Sequence, residues 1–232
     1  MKQINGLSGA VLKHVALITM VFDHVNKVVI FPLFITENPS MLAVIISEVF
    51  GVLGRFAFPL FCFLLVEGFC HTRSRVRYLR NLLFFAAVSE IPFDLFVGGE
   101  FFVVWQQNVF FTLAIGFAVI WLLDVFKEKT KYWGLLAVPT VIAGCLVAMV
   151  AETDYSFYGV LVITLLYLLR SRPLVASVVA FIPLLKTPWA LPAFLATNFY
   201  NGERGRQWKW FNYWFYPVHL LLLGIFRLIY NV

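Results

Sequence analysis

The residues of this chain best placed to do chemistry are Lys13, Asp23 and His24, which all fall within the long apolar stretch 11–31. An ionisable group inside a bilayer helix costs roughly 2.5–3.5 kcal/mol on insertion scales, so each one is a candidate for function. Lys13 and His24 are eleven residues apart. At about 100° and 1.5 Å per residue they share nearly one helix face, roughly 16–17 Å apart along the axis. A cation near one membrane surface and a base deep in the bilayer suit a long anionic ligand, and coenzyme A with its acyl-pantetheine arm is such a ligand. His24 would act as general base on an amine or hydroxyl acceptor, with a carboxylate orienting it. A covalent acetyl-imidazole is a variant of that chemistry. Asp23 stands about 100° round the helix from His24. The alternative pairs Asp23 with Lys27 at i, i+4 and leaves His24 hydrogen-bonded within the bundle.

Other polar groups join this set by estimated depth. Arg55 falls near the middle of the second span, and Glu90 and Asp94 reach the depth of Asp23 and His24 in the third, so that the five could converge. Glu90 and Asp94 repel each other if both are charged, so either one is protonated or a cation such as Arg55 sits beside them. Pro92 between them should kink the span and free a backbone carbonyl. Glu67 and His71 are also i, i+4 and read either as an exposed ion pair or as contacts to a cytoplasmic ligand. Arg73, Arg75, Arg77 and Arg80 suit phosphates, and equally suit topology and lipid headgroups. His219, just after Tyr216-Pro217, either supports the backbone there or lines a ligand path. Lys13, Arg55, His71, Arg73, Arg77 and His219 thus form the candidate coenzyme-binding set. Asn108, Tyr155 and Tyr158 are candidate acceptor contacts, although interfacial anchoring explains the tyrosines as well.

These residues must be positioned by membrane helices. Of the 232 residues 62% are apolar and 13% charged, well above the roughly 45–50% apolar content of soluble domains. Repeated apolar stretches of about 20 residues predict an all-α, polytopic transmembrane helical bundle in one integral membrane domain, 1–232. Short alternating segments typical of a β-barrel are not seen. Spans are expected at 11–31 (closed by Pro32), 42–70, 78–97, 108–126, 132–150, 157–169 and 213–230, with 173–197 broken by Pro183, Pro188 and Pro192. One crossing of that broken stretch gives eight spans and two give nine. Alternation of basic and non-basic loops puts the N-terminus, Arg73–Arg80 and Lys127–Lys131 in the cytoplasm of a cell membrane. Placing Arg204, Arg206 and Lys209 there as well requires nine. The net charge of +6 therefore reports topology, and nucleic-acid binding is not expected. Lys2 precedes an apolar run without a cleavage pattern, which reads as a retained first span. Cys62, Cys70 and Cys145 lie at unrelated spacings, so neither a metal site nor a disulfide framework is expected.

Seven stretches in order resemble the TraX family, named for the F-pilin acetylation protein. They are Met20-Val-Phe-Asp23-His24, Gly54-Arg55-Phe-Ala-Phe-Pro59, Glu67-Gly68-Phe-Cys-His71-Thr-Arg73, Ser89-Glu90-Ile-Pro92-Phe-Asp94, Gln107-Asn108-Val-Phe-Phe-Thr, Asp154-Tyr155-Ser-Phe-Tyr158-Gly159 and Phe215-Tyr216-Pro217-Val-His219. The resemblance implies a membrane acetyltransferase drawing acetyl-CoA from the cytoplasm, the founding activity being acetylation of a pilin N-terminal amine. Wider transmembrane acyltransferases look similar in pairing a polar residue at the cytoplasmic end of the first span with a deeper histidine. The acceptor would be a peptide N-terminus, a sugar or a lipid headgroup, met within or outside the membrane. Two rivals stand beside this reading. One is a proton-coupled transporter with Asp23, His24, Glu90 and Asp94 as a relay; the other is a non-catalytic assembly factor.

Overall fold

A computed structural model of the chain describes residues 6–232, and for Lys209 the backbone alone; Lys2 lies outside the described residues. The described chain is built of helices: α1 (Gly9–Val25), a π-turn (Asn26–Ile30), α2 (Phe31–Phe34), α3 (Met41–Gly54), α4 (Ala57–His71), α5 (Arg75–Gly98), α6 (Val109–Lys129), α7 (Trp133–Val150), α8 (Ser156–Leu168), α9 (Pro173–Phe181), α10 (Leu191–Ala196) and α11 (Lys209–Tyr230). Six stretches are long and apolar enough to cross a membrane: Gly9–Phe34, Met41–His71, Arg75–Gly98, Val109–Lys129, Trp133–Val150 and Trp210–Tyr230. Ser156–Leu168 and Pro173–Leu184 are shorter apolar helices. The protein is a multi-pass helical membrane protein.

Local chemistry explains where these helices start and where they depart from the sequence expectations. Ser8, Ser40 and Asn108 cap α1, α3 and α6 by accepting from backbone N–H groups of the first turn. The first span does not end at Pro32 but runs on to Phe34. Pro32 has no N–H for the Val28 carbonyl, and the preceding turn widens into the π-turn, closed by the Phe31 N–H on the Asn26 carbonyl. The stretch expected as one span over 42–70 is two helices, parted at Arg55-Phe56. Pro59 is the cause, since it lacks the N–H that would bond the Arg55 carbonyl one turn back. By contrast α5 stays helical through Pro92. The broken stretch after Arg172 resolves into α9 with a 3-10 extension to Leu184, then a 3-10 turn Pro188–Ala190 leading into α10 and a 3-10 turn Thr197–Phe199. Neither piece has the roughly 20 residues of a full crossing.

The chain forms two compact units. The first holds residues 6–61, Val88–Val103 and Thr187–Val232. Here the start of α1 is tied to the loop after α10: the Leu7 N–H donates to the Phe199 carbonyl at 2.7 Å, the Asn201 N–H to Leu7 at 3.0 Å and the Gly9 N–H to Glu203 at 2.8 Å. Arg204 thus stands at the N-terminal end of α1, the end from which α11 begins. Antiparallel α3 packs on α1 through Phe22 and Phe50, ring centroids 4.6 Å apart. Near the far end of α11 the Arg227 guanidinium donates to the Phe96 carbonyl at 2.9 Å.

The second unit holds Cys62–Ala87 and Val104–Lys186, with α6, α7 and α8 packed on one another. Its core is built on Phe69, Phe85, Phe117, Ile120 and Ile163, all 1–2% exposed or less. Leu135, Val138, Ile142 and Val150 of α7 are exposed. In a bilayer these apolar side chains meet lipid, which is a good solvent for them.

Gly54 marks the tightest approach beside Asp23. A Cβ there would stand 2.5 Å from Asp23 Cβ, whereas one on Gly134 would meet nothing within 4 Å. Gly54→Ala is expected to destabilise the protein by about 1–3 kcal/mol through overpacking, with Gly134→Ala neutral or mildly stabilising; thermal unfolding in detergent measures both. Equal melting temperatures for the two variants would contradict this packing.

Candidate active site

In the first unit α1 delivers His24 and α11 delivers His219, and their side chains meet. Nδ1 of His24 lies 2.7 Å from Nε2 of His219. The rings are almost parallel, 4° apart, with centroids separated by 5.0 Å. Phe96 of α5 packs on the His24 ring at 4.8 Å, and Phe215 stacks on His219 at 5.3 Å. The second nitrogen of His219, Nδ1, lies 2.8 Å from the Phe215 carbonyl oxygen.

These contacts fix the protonation pattern of the neutral pair. A carbonyl oxygen only accepts, so Nδ1 of His219 carries its proton and Nε2 is left as an acceptor. Nδ1–H of His24 then donates to that nitrogen. Nε2 of His24 is left with a lone pair, and no described residue hydrogen-bonds it. A histidine held with one nitrogen donating and the other bare is poised as a general base.

Asp23 has a different occupation. Its carboxylate lies 2.5 Å from Lys27 Nζ and 3.7 Å from Arg55 Nη2. The i, i+4 pairing is therefore the one present, and the carboxylate does not orient His24. Arg55, the residue that closes α3, is spent on Asp23 and does not sit between Glu90 and Asp94 in an ion pair. Within α5 these two acids lie about 120° and 160° round the helix from Phe96, the residue that touches His24. Asp94 is 2% exposed, and its Oδ1 has no hydrogen-bond partner among the described residues. The expected five-group convergence reduces to Asp23 with Arg55 beside a separate histidine pair.

The remaining sequence candidates lie in the second unit. Glu67 is buried and bidentate with Arg170, at 2.6 and 3.0 Å. His71 donates from Nδ1 to the Glu67 carbonyl at 2.8 Å and stands 3.8 Å from its carboxylate. In place of the exposed Glu67–His71 pair expected, a buried Glu67 is held by an exposed Arg170, with His71 at the edge of that pair. Arg75 bridges to Asp124 at 2.6 Å and covers the Phe69 ring at 4.5 Å, while Tyr167 donates to Asp124. Arg73 and Arg77 are exposed and make no ion pair among the described residues. Asn108 is fully buried: its amide donates to the Ala86 carbonyl at 2.8 Å and accepts from Phe110. That leaves it a helix cap rather than a surface for an acceptor. The Tyr155 N–H donates to Thr112 Oγ1, and the Tyr158 ring lies tilted against Phe157 at 4.0 Å. Arg170 and Asp124, which carry these pairs, are not among the sequence candidates, since no local spacing links them to Glu67 or Arg75.

The family model described as TraX protein matches residues 8–227. The chain belongs to the TraX family. The match takes in both histidines of the pair as well as the Asp23–Lys27–Arg55 group. A curated relative, "Probable fimbrial assembly protein FimC, serogroup H1" of Dichelobacter nodosus, is 28% identical over 91% of this chain and 92% of its own length. No solved structure matches the chain.

The tautomer chain in this TraX-family protein is open to direct measurement. Nitrogen NMR of histidine-labelled protein is expected to show His24 and His219 both protonated on Nδ1 and bare on Nε2. Asp23→Asn should leave that pattern in place, whereas His219→Ala should release His24 to exchange between tautomers. A His24 protonated on Nε2 in the unmodified protein would refute the assignment.

Proposed function

We propose that this protein is an integral membrane acetyltransferase that takes acetyl-CoA from the cytoplasm, with His24 as its general base. The observation that carries the reading is the lone pair left on His24 Nε2 by the His24–His219–Phe215 chain. The acceptor is an amine or hydroxyl, and the name of the fimbrial relative favours the N-terminal amine of a fimbrial subunit. The protein would sit in the cell membrane with its N-terminus in the cytoplasm, following the Lys/Arg content of the loops.

In the proposed reaction the acceptor nitrogen attacks the thioester carbonyl carbon. Its proton passes to Nε2 of His24, the C–S bond breaks, and the departing thiolate takes that proton to leave as coenzyme A. The product is the acetylated amine. While His24 is protonated, its Nδ1–H stays bonded to neutral His219, so the charge is met by a fixed acceptor already in place. Asp23, Lys27 and Arg55 hold α1 and α3 in register around it. Lys13, one face and roughly 16–17 Å from His24, suits the phosphate end of the donor.

The proton-relay transporter reading is less well supported. It needs Asp23 to exchange protons with His24, and Asp23 is held by Lys27 and Arg55.

Labelled acetyl-CoA supplied to purified protein in nanodiscs with an N-terminal fimbrial peptide tests the proposal. His24→Gln is expected to lower transfer about 10²–10⁴-fold, the range of a lost general base. His219→Ala should lower kcat by about ten- to a hundred-fold with little change in KM, and His219→Gln, which keeps an acceptor for Nδ1–H, should recover part of the loss. Full transfer by a folded His24→Gln protein would end this reading.

A further inference from the structure

Lys13 was expected to share its ligand with the arginine-rich segment 73–80. Within the first unit a different cation reaches it. The loop after α10 folds back over the first turn of α1, where the Gly9 N–H donates to the Glu203 carbonyl at 2.8 Å. Gly9 lets the loop lie flat: a Cβ there would stand 3.3 Å from the Arg204 carbonyl oxygen and 3.7 Å from Arg204 Cα. Lys13 is one turn further along the same face, and helical side chains lean toward the N-terminus, which swings its ammonium back toward Arg204.

Two like charges are thus brought to the first turns of α1 by tertiary structure, and neither forms an ion pair among the described residues. Glu203, the adjacent acid, is exposed and makes no ion pair either. Lys13 is half-buried, between the buried side chains of Leu12 and Ala16. Half-burying a cation beside another cation is unfavourable unless an anion completes the group.

A groove of about 270 Å³ between α1 and α11 begins at His14, the residue after Lys13. Leu17, Ile18, Val21, Phe22 and Phe215 line it. From His14 to Phe22 it follows α1 for about 12 Å, and it ends on Phe215, whose ring stacks on His219.

We infer that Lys13 and Arg204 clasp the phosphates of the thioester donor, and that the groove beside them takes its pantetheine arm. This rests on the acyl-transfer reading and adds to it the residue that anchors the donor. Charge complementarity selects a phosphate-bearing head, and the end of the groove against Phe215 selects a ligand whose reactive group must reach the histidine pair. An anionic phospholipid shares the head-and-tail chemistry but has nothing to deliver there.

Titration calorimetry with coenzyme A, which carries no thioester, into protein in zwitterionic nanodiscs tests the clasp apart from catalysis. Arg204→Gln is expected to weaken binding about ten-fold or more, the scale of a lost charge-assisted phosphate contact. Lys13→Gln should do the same, and the double variant should lose less than the product of the two. His24→Gln should bind as the unmodified protein does. Arg204 is exposed, so its variant should fold, as a melting curve checks. Unchanged affinity in Arg204→Gln, with His24-dependent transfer intact, would overturn the clasp and leave the acyltransferase standing. Absence of both coenzyme A binding and transfer in the folded, unmodified protein would remove the underlying reading and the clasp with it. Nanodiscs containing phosphatidylglycerol form the second arm. Arg204-dependent retention of that lipid, without coenzyme A binding, would overturn the donor site in favour of a lipid site.

Discussion

A backbone carbonyl cannot donate a hydrogen bond, and the carbonyl of Phe215 imposes that limit on everything bonded downstream of it. Through it His219 is held as the tautomer that accepts at Nε2, and through His219 the His24 imidazole is held as the tautomer that is bare at its own Nε2. A carboxylate in the position of His219 would fix the same tautomer and bind the imidazolium more strongly. It would also place a permanent charge in a low-dielectric span, at a cost that a neutral imidazole avoids. The pair is therefore a way to orient a base inside a membrane without burying an ion beside it. The one carboxylate near in sequence, Asp23, is compensated by Lys27 and Arg55, and its charge is already neutralised before any chemistry begins.

The irregular backbone of the first unit gathers around this pair. The π-turn follows His24 by one residue, the break between α3 and α4 falls at the residue that pairs with Asp23, and Gly54 gives Asp23 its space. Each has a local cause: Pro32 for the π-turn, Pro59 for the break, the missing side chain for the close approach. Non-helical backbone at membrane depth persists only where protein or an aqueous cavity covers its polar groups. Asn26 contributes to that cover, its amide donating to the Ser47 carbonyl at 3.1 Å. The prolines that look like helix ends in sequence thus serve as joints that set the angle and depth of the polar residues beside them.

This separates what the sequence could disclose from what it could not. Helical periodicity reaches one or two turns, so the Asp23–Lys27 pair and the shared face of Lys13 and His24 were legible, as were the apolar spans. His24 and His219 are 195 residues apart, and Glu67 and Arg170 are 103 apart. No spacing rule connects such positions. The depth argument that gathered Glu90, Asp94 and Arg55 around His24 treated a span as a line. A helix has a circumference as well, and Phe96 rather than either acid faces the histidine. Pro32 and Pro59 misled in opposite senses, one taken as a stop and the other not, because a proline's effect depends on whether the preceding turn can widen.

Ion pairing within each unit gives a final distinction between charges that hold the fold and charges that remain available. In the second unit Glu67 has Arg170, and Asp124 has Arg75 and Tyr167; Lys127 lies over the rings of Trp133 and Tyr167 at 4.8 Å. These three cations each face an anion or a π-face, as insertion energetics favours in a polytopic protein, whereas Arg73 and Arg77 are exposed and make no ion pair among the described residues. In the first unit Asp23 is met in the same way. Lys13 and Arg204 differ from these: the loop after α10 brings both to the first turns of α1, and the exposed acid beside them, Glu203, makes no ion pair among the described residues. An arrangement that brings two cations to one helix end with no ion pair among the described residues is costly by itself and favourable once an anion enters, which is the thermodynamic form of a binding site.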